Sequence, residues 1–93
     1  MELQQHENLV ATMAAMATGD PKAVFWLYAE FGGQIGAALR RELRRLGVER
    51  VPPAELDGMV IDACLELFDC GAAWNPAGGA LPWTWAGRRL RRI

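Results

Sequence analysis

The chain has no serine at all and a single histidine, His6, placed close to its first residue. The commonest hydroxyl nucleophile is therefore missing, and His6 has no acid or thiol at a spacing that would make an acid–base pair with it. Only two cysteines are present, Cys64 and Cys70, and a separation of six residues puts them on different faces of one helix. That spacing makes neither a local disulfide nor a metal-ligand pair, and it fits a reducing compartment. The ten glycines include no P-loop and no dinucleotide fingerprint. Catalysis is not indicated, and no cofactor, metal or catalytic residue is expected. No apolar run approaches the ~20 residues that span a bilayer, and no charged segment precedes an apolar one at the start. A cytoplasmic protein without a membrane partner is the expectation.

Positive charge is missing from one long stretch. Between residues 51 and 87 there are five acids, Glu55, Asp57, Asp62, Glu66 and Asp69, and no Lys or Arg, whereas Arg88, Arg89, Arg91 and Arg92 close the chain. The net charge of −1 averages this asymmetry away. Nine of the ten basic residues are Arg, which suits recognition of phosphate and carboxylate by a planar fork; a GC-rich genome gives the same bias with no function behind it.

Runs of β-branched residues are also scarce, while 52% of the chain is hydrophobic and four residues are Trp. This composition predicts an all-α fold, a small helical bundle of about four helices. Ninety-three residues make one domain over 1–93, with a single modest core. Residues 3–18 carry Leu9, Val10, Met13, Ala14, Met16 and Ala17 as a weakly amphipathic helix, expected to pack on Phe25 and Trp26. Asp20 and Pro21 are a cap and a first helical residue, and Gly47 is a stop, so a long second helix is predicted from 21 to about 46. Its stripe is Val24, Leu27, Tyr28, Phe31, Ile35, Ala38, Leu39 and Leu46, with Arg40, Arg41, Arg44 and Arg45 in its last turns, where the helix dipole favours cations.

Residues 47–53 read as a linker, and a third helix starts near Pro53. Leu56, Met59, Val60, Ala63, Cys64, Leu67 and Phe68 form its apolar stripe, which leaves a purely acidic exposed side. Asp62 and Glu66 at i, i+4 could be read as a metal or acid–base pair, but a solvated helix face is the commoner meaning of such a pattern. Residues 70–82 are a Gly-, Ala- and Pro-rich loop, and Pro82 begins a fourth helix. Leu27, Phe31, Val60, Leu67 and Leu90 are expected to meet in the core.

Gly19, Asp20, Ala23, Leu27, Tyr28, Phe31 and Ile35, in that order and spacing, resemble the opening helix of region 2 in bacterial sigma-70-type factors, particularly the short extracytoplasmic-function class and its actinobacterial relatives. Three further parts follow in the family's order: Glu55-Leu56-Asp57, then Trp74-Asn75-Pro76, then Trp83-Thr84-Trp85. Together they cover residues 19–93. The resemblance implies transcription initiation. Its expected partners are core RNA polymerase, met at the clamp coiled coil, the single-stranded −10 element of promoter DNA, and an anti-sigma factor. Glu55, Asp57, Asp62 and Glu66 are the candidates to meet polymerase arginines, since complementary charge steers encounter. The family's acid-Leu-x-Gln-Glu arrangement is not complete here, because no Gln-Glu pair lies between Leu56 and Phe68.

In the fourth helix, Trp83, Ala86, Leu90 and Ile93 share one face, while Trp85, Arg88, Arg89 and Arg92 fall on another. An aromatic among arginines suits stacking of unpaired bases beside neutralised phosphates, so Trp85, Arg88, Arg89 and Arg92 are the DNA-binding candidates. The alternative is that both Trp residues are core and the arginines a solvated end. A helix that ends on Arg91-Arg92-Ile93 without a cap reads as cut inside an element, and sigma factors continue into a linker and a helix-turn-helix. The rival function is a degenerate sigma-like helical module that binds a regulator or itself and touches no DNA.

Overall fold

The computed structural model describes residues 3–78 and 80–85, and among them there are helices and turns but no strand. Helix α1 is Leu3–Ala17, α2 is Lys22–Arg45 and α3 is Pro53–Cys70; two short 3-10 turns, Gly71–Ala73 and Pro76–Gly78, follow. Residues 82–85 are helical again. The protein is an all-α bundle.

Local chemistry explains the boundaries. At the end of α1 the Gly19 amide donates to Met16 O (3.0 Å) and the Asp20 amide to Ala15 O (3.2 Å), with Gly19 at φ 83°. The same pair of bonds closes α2, where the Gly47 amide donates to Arg44 O (3.0 Å) and the Val48 amide to Leu43 O (2.8 Å), with Gly47 at φ 89°. Both are Schellman endings, in which a left-handed residue lets the chain satisfy the last carbonyls and then leave. Asp20 Oδ1 accepts from the Lys22 amide at 3.0 Å, so the expected cap is present at the start of α2. Pro52 is extended and Pro53 opens α3, where its missing N–H leaves no bond unmade.

Packing follows the apolar spacing. Leu9, Met13 and Met16 of α1, Ala23, Leu27, Phe31 and Ile35 of α2, and Val60, Cys64 and Leu67 of α3 form one buried cluster, closed by Trp74 and Trp83. Each large aliphatic or aromatic side chain removed from water contributes ~1.5–3 kcal/mol, which is what holds three helices of modest propensity together. At Gly36 an added Cβ would meet Val60 Cγ2 at 3.6 Å, an ordinary van der Waals contact, so α2 packs against α3 there without a steric demand for glycine.

The structure departs from the sequence reading at several residues. Phe25 and Trp26 do not receive α1; they are 72% and 49% exposed, because α1 settles on the Ala23–Leu27–Phe31 side of α2. Tyr28 stands one residue off that line, and its ring lies along Gly32 at the surface rather than in the core. Leu46, the C-cap of α2, is 70% exposed because it lies at the helix end, beyond the residues that pack. Leu90 lies outside the described residues.

Candidate interaction surfaces

The inner line of α3 is Leu56, Val60, Cys64 and Leu67, all buried, so the helix must turn its remaining residues outward. Glu55, Asp57, Asp62, Glu66 and Asp69 are all exposed. The outer face is not purely acidic, however: Ile61 and Leu65, 42% and 49% exposed, lie between the acids at i, i+4. The four buried positions of this 18-residue helix cannot absorb every apolar side chain, and these two fall on the wrong side of the stripe. The surface is acidic with an apolar centre.

Asp57 differs from its neighbours. Tyr28 Oη donates a hydrogen bond to Asp57 Oδ1, which ties the outer edge of α2 to α3. The phenol is held above its ordinary range, first because ionisation would break this bond, and then because of desolvation and the nearby Asp57 charge. Glu55, Asp62 and Glu66 have no hydrogen-bond or ion-pair partner among the described residues. Behind them, burial pushes the Cys64 thiol up to about 11, so it stays protonated at neutral pH. No group of three His, Cys, Asp or Glu among the described residues could hold a metal ion. No described helix is long and apolar enough to cross a membrane.

The two tryptophans at the start of the last helical turn have different surroundings. Trp83 is buried with its ring centroid 6.1 Å from that of Phe31, as the apolar spacing predicts. Trp85 is half-buried and packs its inner part on the core, so it is less fully presented than a residue placed among arginines suggests. Arg88, Arg89 and Arg92, named with it, lie outside the described residues. Trp74 is a core anchor that spacing does not reveal. Its indole Nε1 donates to Ala80 O at 2.9 Å and pins the loop, while Asn75 Oδ1 accepts from the Ala77 amide at 3.0 Å and shapes the turn.

A third surface was visible in sequence only as charge. Arg40, Arg41 and Arg44 line a shallow cleft of about 430 Å³ with Gln34, Ala37, Leu81 and Trp83. The arginine cluster is plain in the sequence, but Leu81 and Trp83 reach it only through the fold. Comparison of the chain with protein-family models, with curated proteins and with solved structures gives no match.

Proposed function

We propose that the chain is a transcription-initiation module of the sigma region 2 kind, which binds core RNA polymerase through the outer face of α3 and single-stranded −10 DNA through the segment that starts at Pro82. The observation that carries it is the face itself: Glu55, Asp62 and Glu66 are exposed with no cation partner among the described residues, beside the exposed apolar pair Ile61 and Leu65. Such a surface suits a basic helix that also offers apolar side chains. Charge brings the two together, and burial of Ile61 and Leu65 holds them. Asp57 has one oxygen engaged by Tyr28, so its role is to fix the edge of the face.

The test is retention of core RNA polymerase by immobilised protein at moderate salt. Asp62→Lys with Glu66→Lys should lose most of the retained enzyme. Unchanged retention, with helix content intact by circular dichroism, would remove the α3 assignment. A second reading is favoured by Phe25 and Trp26, two large apolar side chains left exposed near the start of α2, and by the missing Gln-Glu pair. It makes the chain an interaction module without DNA binding, and self-association by sedimentation with no polymerase retained would support it.

A further inference from the structure

Arg40 and Arg41 on α2 are not explained by helix electrostatics. A helix dipole favours cations within its last turn, which covers Arg44 and Arg45 but not Arg40 and Arg41. Arg45 has its own partner, with Nη2 3.2 Å from Glu42 Oε1. Arg40, Arg41 and Arg44 are exposed and have no carboxylate partner among the described residues. They stand at i, i+3 and i, i+4 from one another, where like charges repel. An anion laid across them relieves that repulsion.

The cleft they rim is chemically defined. Leu81 and Trp83 come from the far end of the chain to form its apolar side, and Gln34 lines it too, with a side-chain amide able to donate. Trp83 is held in place by its packing against Phe31. With only 9% of Trp83 exposed, the cleft offers no ring face on which a base could stack. Three guanidinium forks without a stacking platform suit phosphate oxygens rather than a nucleobase. Arg40 and Arg44 are separated by ~6 Å along the helix axis, so successive forks can meet successive phosphates of one strand.

We infer that this cleft is a docking track for the phosphodiester backbone of a nucleic acid, read without regard to sequence. It extends the proposed function by a second nucleic-acid surface, on a different helix from Trp85, and it does not need the polymerase contact. Phosphate contacts of this kind position a strand, and specificity is left to other residues.

The experiment uses the full 93-residue chain and a fluorescently labelled single-stranded oligonucleotide of mixed sequence, titrated over a range of salt. The triple variant Arg40→Gln, Arg41→Gln, Arg44→Gln keeps long helix-forming side chains and removes the charge. Its affinity should fall by about tenfold or more at low salt, and its log–log salt slope should shrink by about 2, since each single-strand phosphate contact supplies ~0.7. Equal affinity and slope in the triple variant overturn the inference. So does a wild-type chain that binds no strand at low salt, or one from which a nucleoside triphosphate or polyglutamate displaces the strand at comparable concentration. Trp85→Ala is measured in parallel: a loss confined to it leaves the fourth-helix reading standing and removes this one, and a loss confined to the arginine variant does the reverse.

Discussion

Along α3 the acids Glu55, Asp62, Glu66 and Asp69 are spread over about four turns of outer face, with Ile61 and Leu65 between them, whereas α2 crowds Arg40, Arg41, Arg44 and Arg45 toward its C-terminal end. The two surfaces also differ in what lies beside the charge. On α3 it runs beside exposed apolar side chains, and on α2 it rims a cleft with Leu81 and Trp83 on its apolar side. The first arrangement fits a protein helix that has both charge and apolar surface to offer. The second fits a polyanion that brings phosphates alone. A chain with a net charge of −1 thus separates two opposite electrostatic surfaces on one small core, a pattern the total charge conceals.

The largest effect should come from breaking what the two surfaces share. Phe31 is fully buried and touches the ring of Trp83, so Phe31→Ala should cost ~3–5 kcal/mol and leave much of the domain unfolded. Urea denaturation followed by circular dichroism measures this, and both binding activities should fall together. A variant with an unchanged midpoint would mean that the two surfaces do not depend on this core.

Alkaline titration separates the inner from the outer side of α3. The Cys64 thiol is raised from 9.0 to about 11 in the fold, so stability is full below pH 9 and falls between pH 9 and 11, by up to ~2–3 kcal/mol, as the unfolded chain loses its proton first. The Tyr28 phenol is raised as well, and its share is lost only above pH 10, the value from which it is raised. Thermal melts across this range should show a flatter early limb in Cys64→Ala and a flatter late limb in Tyr28→Phe. Limbs identical to that of the wild-type chain would contradict these assignments.

The smallest effect is expected at Arg45, the one cluster arginine with a described acid partner. Arg45→Gln breaks an exposed i, i+3 pair and should change stability by less than ~0.5 kcal/mol, as read by the same denaturation. Oligonucleotide affinity should barely move. A loss as large as that of the Arg40, Arg41, Arg44 variant would show that the end of α2 acts as undirected charge.

The fold was legible where its cause is local. Gly19, Asp20, Gly47 and Pro53 set helix ends through bonds made within a few residues, so the sequence placed α1, α2 and α3 within a residue or two. The stripe of α3 was equally readable, since Leu56, Val60, Cys64 and Leu67 repeat at helical steps. Periodicity failed at the edges of the stripes. Tyr28 satisfies the spacing rule yet stands one position outside the buried line, and Phe25 and Trp26 are apolar residues left without cover. The acidic half of the candidate surface was likewise readable, but Ile61 and Leu65 were hidden by the assumption that apolar residues turn inward. The burial of Trp74 in the core and the α2 cleft depend on packing between residues distant in sequence, which no local pattern encodes.

The central claim is that opposite charges on α2 and α3 serve different partners. The most direct measurement titrates three forms of the full chain, wild type, Asp62→Lys with Glu66→Lys, and Arg40→Gln with Arg41→Gln and Arg44→Gln, against core RNA polymerase and against a single-stranded oligonucleotide. The account predicts a crossed result: the α3 variant loses polymerase and keeps the strand, and the α2 variant loses most of the strand and keeps polymerase. Parallel losses of both partners in both folded variants, or no loss in either, would contradict it.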